Sequence, residues 1–454
     1  MKAKIIQSKK ADLKPWQELG EVELTKDFAL GGTTVLVDSS KEFQTHLGFG
    51  GAFTEASAHV YSNTSEANQK KIIEAYFDKE KGLAYNMGRT TVGGCDFALG
   101  YYSYVEEGDD SLSTFDMSHD DKQIVPMIKA AEAKAGEQLT LLASPWSPPA
   151  FMKDTKDVDH GGKLLDEYYP VWAKYIVKYI KGLKDRGIDI NLLTTQNEPE
   201  AIQPWASCEY NATEEARLAI DYVYEELKKE GLQDDVKILI WDHNRDGLYR
   251  RTRETLAYPG AEDVVWGAAY HWYVSPKSEN LTMVKDKFPQ MHLLFSEGCV
   301  EVMNVSGGTS SKENIGAWTH GETYGRNMIN DFNNYNEGWL DWNLLLDERG
   351  GPNYVENFCE APITLDRNTD EVIFNWSYYF IGHLSRYIKP GAKRILSRND
   401  VDNDIYNLAY KNPDGSIVVV VLSESDNDAT MTIDVDGNGA KIDVPAHSIT
   451  TYII

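Results

Sequence analysis

Eight short apolar segments, each followed by a longer stretch with helical patterning, run through the middle of this 454-residue chain. They fall at 47–54, 85–92, 139–146, 192–199, 237–244, 267–273, 292–299 and 338–346. Amphipathic stretches such as 68–77, 166–186 and 212–230 lie between them; in the last, Ala216, Leu218, Ile220, Val223 and Leu227 fall close to helical spacing. About eight strand–helix units over roughly 300 residues is what a (β/α)8 barrel requires. An open doubly wound sheet would show the same alternation, but its polar groups would gather at one switch point. Here polar and aromatic residues gather at the end of nearly every strand, so an α/β chain closed into a TIM barrel is expected.

The flanks read differently. Residues 1–45 are rich in β-branched residues and turns, with Thr33-Thr34-Val35-Leu36-Val37-Asp38 the clearest strand. After about residue 385 the helical patterns stop. Segments 405–411, 416–423, 430–435 and 448–454 read as strands broken by Asn412-Pro413-Asp414-Gly415 and Asp436-Gly437-Asn438-Gly439 turns. A lone N-terminal strand would leave unpaired edges. Both termini are therefore expected to build one accessory antiparallel β-sandwich. The domains read as 1–45 (first part of the sandwich), 46–384 (barrel) and 385–454 (rest of the sandwich).

Chemistry in such barrels sits at the C-terminal ends of the strands. Two strands end there in a glutamate: Leu192-Leu193-Thr194-Thr195-Gln196-Asn197-Glu198-Pro199 and His292-Leu293-Leu294-Phe295-Ser296-Glu297-Gly298. Proline has no N–H for a ladder, so Pro199 is expected to end the first strand with Glu198 at its lip. Two carboxylates facing each other across the mouth suit glycosidic cleavage, which needs a proton donor and an anion for an oxocarbenium-like state. Asn197 should reach a sugar hydroxyl from the same lip. Tyr273, closing Tyr270-His271-Trp272-Tyr273, could donate to Glu297, and Arg89 could hold that carboxylate by charge; His271 joins the substrate-binding candidates. Trp146 and Trp342 end the third and eighth strands, where an indole face can stack on a pyranose. Ionised Glu297 is expected to keep Glu198 protonated. Gly48-Phe49-Gly50-Gly51 lacks nucleotide-loop spacing and reads as close backbone packing, with Glu55 at the strand's end.

Charge and cysteine usage exclude other classes. Lys and Arg total 45 against 71 Asp and Glu, a net −26, which would repel phosphate backbones and anionic lipid. No nucleic acid and no membrane insertion are expected, since no apolar run reaches spanning length. The N-terminus begins basic without an apolar core behind it, so no secretory signal is read. Four scattered cysteines suggest reduced thiols in a cytoplasmic protein, although a trimmed secreted chain would look the same. His271 and His292 show no metal-ligand spacing, and neither metal nor cofactor is expected.

At these residues the chain resembles glycoside hydrolase family 30, the glucosylceramidase family of retaining β-glycosidases. The shared blocks are 48–55, Cys95-Asp96-Phe97, 143–148, 194–199, His271-Trp272-Tyr273, Ser296-Glu297-Gly298-Cys299 and 338–343 with Gly350-Gly351-Pro352-Asn353. The resemblance implies the barrel with a sandwich from both chain ends, Glu198 as acid/base and Glu297 as nucleophile. It also implies that Glu55, Trp146, Asn197, Trp342 and Asn357 hold the glycone; Glu55 stands where that branch commonly has Asp.

The reaction this predicts is hydrolysis of a β-glucoside by double displacement on a carbohydrate substrate. β-1,6-Glucanase, β-xylosidase or β-fucosidase action would use the same scaffold. A non-catalytic carbohydrate-binding protein is the alternative of another class, but binding alone needs neither glutamate.

Overall fold

The computed structural model describes residues 1–28, 33–302, 314–400 and 404–454. Strands β1 (Lys2–Lys9), β2 (Lys14–Glu23) and β3 (Thr34–Thr45) precede the barrel. The barrel strands are β4 (Gly48–Ala52), β5 (Met87–Val92), β6 (Thr140–Pro145), β7 (Leu192–Thr194), β8 (Lys237–Asn244), β9 (Val265–His271), β10 (His292–Glu297) and β11 (Gly338–Asn343). They pair in parallel and close, β11 returning to β4. All eight expected strands are present, most of them shorter than their sequence patterns.

The largest difference is at β7, which stops at Thr194 rather than at Pro199. The next amides leave the ladder. Asn197 N–H donates to the Pro145 carbonyl (2.8 Å) and Glu198 N–H to that of Asp242 (2.9 Å), with Glu198 at φ +48°. The strand therefore ends because neighbouring strand ends capture its amides, several residues before proline could act.

Close backbone packing at β4 is what its glycines permit. A Cβ on Gly50 would lie 2.2 Å from the Met87 carbonyl oxygen, so β4 and β5 approach only because no side chain intervenes. Met87, Leu142, Leu192, Leu239, Ala269, Leu294 and Leu340 fill the barrel floor, one inward residue from most strands. Amphipathic helices cover the outside; Glu55–Ser62 begins where the Thr54 side chain accepts from the Ser57 N–H (3.1 Å).

Beyond the barrel, β12 (Leu345–Asp347), β13 (Ile363–Asp366) and β14 (Glu371–Phe374) form a small sheet. The last helix, Trp376–Ser385, leads into β15 (Lys393–Asn399), β16 (Ile405–Lys411), β17 (Ile417–Ser423), β18 (Ala429–Val435), β19 (Asn438–Val444) and β20 (Ser448–Ile453). With the N-terminal strands these make one nine-stranded sheet, ordered β19-β18-β3-β15-β16-β17-β20-β1-β2. It curls until Thr25, just past β2, exchanges backbone hydrogen bonds with Gly439 of β19 (3.0 and 2.8 Å). The sandwich core of Val35, Val37, Val419, Val421, Ile433 and Tyr452 lies inside the curl. On β17, Val418, Val420 and Leu422 face the other way and join the core of the barrel's outer helices. Period-two alternation with both faces buried explains why β17 reads as an unbroken apolar run. Among the described residues no helix is long and apolar enough to cross a membrane.

Candidate active site

Inward positions two residues above the apolar floor are polar. Met87 is followed on its face by Arg89, Leu142 by Ser144, Leu192 by Thr194 and Leu294 by Ser296, as strand periodicity dictates. On β8 the parity is broken. A bulge between Trp241 and His243, with φ +76° at Trp241 and +45° at Asp242, turns Asp242 into the barrel. Asp242 becomes the hub of this layer, accepting from Arg89 Nη2 (2.8 Å), Thr194 Oγ1 (2.7 Å) and Ser296 Oγ (2.6 Å). His271 Nε2 lies 3.0 Å from its other face. Burial penalises this charge, but the Arg89 guanidinium and then His271 and Ser296 outweigh it and hold Asp242 well below the ordinary carboxylate range.

Arg89 carries that order to the strand ends. It is fully buried, with its Nη1 2.5 Å from Glu297 Oε2 and its Nη2 donating to Asn197 Oδ1 (2.9 Å). Tyr273 OH donates to the other Glu297 oxygen (2.9 Å). Glu297 is thereby fixed in rotation, with a cation on one oxygen and a phenol on the other. The Arg89 bond uses the Asn197 oxygen and leaves that amide's NH2 for the cavity.

Glu198 has different neighbours. His271 Nδ1 lies 3.3 Å and His243 Nδ1 3.5 Å from Glu198 Oε1. Gln203 Nε2 is 3.3 Å from Oε2. Burial would raise the Glu198 carboxyl, but the imidazoles when protonated, His243 foremost, hold it well below its usual range. His271 moves the opposite way. Burial alone would lower it, yet the Glu297 charge and the Asp242 and Glu198 contacts raise it to about 9. The sequence expectation that Glu297 itself keeps Glu198 protonated is corrected here: the imidazoles set Glu198, and the field of Glu297 falls on His271 and Arg89. With His271 so raised, an exchangeable proton stands 3.3 Å from Glu198 Oε1.

Both glutamates line one cavity of 410 Å³, together with Trp146, Asn197, Tyr273, Trp342 and Asn357. Trp146 and Trp342 stack on each other (centroids 5.3 Å, 16° between planes), and the Arg89 guanidinium sits 4.9 Å from the Trp146 ring. Two expected binding residues are placed otherwise. Glu55 opens a helix outside the cavity lining, its oxygens occupied by the Leu99 N–H (2.9 Å) and His119 Nε2 (2.7 Å). His271 is fully buried beneath Glu198 and so positions that carboxylate rather than meeting substrate.

Three residues given no role in the sequence belong to the site: Asp242, His243 and Asp96, the last quoted there only within a shared block. The polar end Asp242-His243-Asn244 of β8 repeats the strand-end signature of the two glutamates and could have revealed two of them. Asp96 lies in a loop past β5 with no periodic signal. It lines the cavity and accepts from Asn353 Nδ2 (3.1 Å), with Asn357 Nδ2 at 3.5 Å. Burial first, and the Glu297 charge second, push its carboxyl up to about 7.

A closed parallel barrel with two differently held carboxylates and stacked indoles around one cavity at its strand ends has the apparatus of an O-glycosyl hydrolase. The family model described as the glycosyl hydrolase family 30 TIM-barrel domain matches residues 46–388, and the corresponding beta sandwich domain matches 391–452. The chain belongs to glycosyl hydrolase family 30 and is a glycosidase. Lysosomal acid glucosylceramidase of Mus musculus is 32% identical over 438 residues, 93% of this chain and 83% of the mouse protein. The crystal structure of SrfJ from Salmonella typhimurium aligns with a TM-score of 0.94 at 34% identity, covering 100% of this chain and 99% of that one. An endo-β-1,6-glucanase structure aligns with 0.82 at 27% identity over 99% of each chain.

Proposed function

We propose that this chain is a retaining β-glycosidase acting on β-glucosides. The observation that carries the reading is the contrast between its carboxylates. Glu297 is clamped between the Arg89 guanidinium and the Tyr273 hydroxyl, while Glu198 sits against the imidazoles of His243 and His271 on the same cavity. Glu297 attacks the anomeric carbon as Glu198 passes the proton held by His271 to the leaving oxygen. Glu198 then takes a proton from water, which releases the sugar from Glu297 with its configuration retained. Trp146, Trp342, Asn197, Asp96 and Asn357 hold the glycone. Similarity to glucosylceramidases supports a β-glucosyl glycone.

The test is 1H NMR of an aryl β-glucoside digest before mutarotation. Early β-glucose is expected; early α-glucose would refute the double displacement. A second reading, endo-β-1,6-glucanase action, is favoured by the glucanase structure and by the 25% identical endo-1,6-beta-D-glucanase of Trichoderma harzianum. Gentio-oligosaccharides cleaved faster than simple glucosides would select it.

A further inference from the structure

The metal-ligand set that linear spacing lacks is assembled by the fold. Glu198, His243 and His271 come from the ends of β7, β8 and β9, and one ligand-type atom from each lies within 4.8 Å of the others. We propose that these three residues form a binding site for a borderline divalent cation, Zn²⁺ in the first instance, and that its occupation blocks the cavity.

Three observations converge on that chemistry. The first is spacing. The Glu198 Oε1 atom is 3.3 Å from His271 Nδ1 and 3.5 Å from His243 Nδ1, long for charge-assisted hydrogen bonds of about 2.7–2.9 Å. Zinc–nitrogen and zinc–oxygen bonds of about 2.0–2.2 Å at the tetrahedral angle place neighbouring ligands roughly 3.3–3.5 Å apart. The second is orientation. His271 Nε2 donates to Asp242 Oδ1 (3.0 Å), which leaves the neutral ring's lone pair on Nδ1, toward Glu198. This is the carboxylate–histidine support that fixes the tautomer of metal-bound imidazoles.

His243 is held in the same sense. The Asn244 amide gives its oxygen to the Val274 N–H (3.3 Å) and sets its Nδ2 3.3 Å from His243 Nδ1, so in the neutral ring that nitrogen is an acceptor whose bond from Asn244 a metal ion would displace. Two imidazole nitrogens and a carboxylate oxygen thus converge, an arrangement relieved by a proton or, in its place, by a metal cation. The third observation is access. Glu198 and His243 both line the 410 Å³ cavity, which leaves the fourth coordination position toward its interior for water. Nitrogen donors select zinc, copper or nickel over magnesium and calcium, which prefer oxygen.

The inhibition, but not the binding, rests on Glu198 acting as the acid/base. The test is calorimetric titration of Zn²⁺ into the full chain after dialysis against a chelator. One equivalent should bind, at least tenfold more weakly in His243→Asn and in Glu198→Gln, and unchanged in His447→Ala, which removes an imidazole bonded to Glu322 and Asp426 elsewhere. Zn²⁺ should inhibit aryl glucoside hydrolysis competitively, with recovery on adding EDTA and no effect of equimolar Mg²⁺. Absence of zinc binding by the native chain would overturn the proposal. So would native-like binding by both His243→Asn and Glu198→Gln, loss in His447→Ala, or full activity of the zinc-loaded chain. A chain that binds zinc as described yet hydrolyses no glycoside would sink the proposed reaction and leave the site standing.

Discussion

Asp96→Asn should make this protein more stable and less active, with the stability gain appearing only above a defined pH. Asp96 is 4% exposed, between Asn353 and Asn357, and the Glu297 charge acts on it. These surroundings raise its carboxyl from 3.8 to about 7, which corresponds to about 4 kcal/mol at full ionisation. The folded chain holds this proton more tightly than the unfolded chain does. Stability from this group is therefore complete below pH 4 and lost as pH rises from about 4 to 7, after which the loss is constant. Asparagine keeps an oxygen for the two neighbouring amides and never ionises. The variant should match the parent near pH 4 and exceed it by up to about 4 kcal/mol at pH 8. For 454 residues, an unfolding entropy of ~2.1 cal/mol/K per residue converts this into a Tm rise of about 4 °C.

Thermal melts of the two proteins across pH 4–8 read the effect directly. Turnover should move the opposite way, because a carboxylate accepting from a sugar hydroxyl is worth about 1.5–3 kcal/mol, or roughly ten- to a hundredfold in kcat/KM. Equal melts at every pH, or a variant less stable at pH 8, would refute the claim that burial strains Asp96.

Arg89→Met leaves Asp242 and Glu297 buried without their shared cation and should destabilise the fold by about 3–5 kcal/mol; denaturant unfolding within 1 kcal/mol of the parent would contradict the network described for it. Gly50→Ala places a methyl 2.2 Å from the Met87 carbonyl oxygen and should cost about 3 kcal/mol or more, by forcing two barrel strands apart. Gly100→Ala, where nothing lies within 4 Å, should stay within about 0.5 kcal/mol of the parent and serves as its control in the same melts.

Fold class was legible because strand periodicity and helix spacing are local properties written directly in residue order. The same local rules brought out Glu198 and Glu297, since each follows an apolar run and so must stand at a strand end. They also brought out Arg89, Asn197, Tyr273 and the two indoles at neighbouring ends. Asp242 escaped because a bulge reverses parity on β8, and no alternation rule says which side an interrupted strand will show. Asp96 escaped because loops carry no period. The resemblance implies Glu55 as a glycone contact, but block position does not reveal that His119 and the Leu99 amide occupy its carboxylate.

What the sequence determined by itself, then, is the order of elements and which residue types stand at which end of each strand. What only the tertiary structure decided is who faces whom. Barrel closure brings β5, β8 and β10 around one point, so that Arg89 meets Asp242 and Glu297 across gaps of 153 and 208 residues. It also sets two imidazoles against Glu198 while denying them to Glu297. The partners of each carboxylate follow from those distances, and distances between strand ends exist only once the ring is closed.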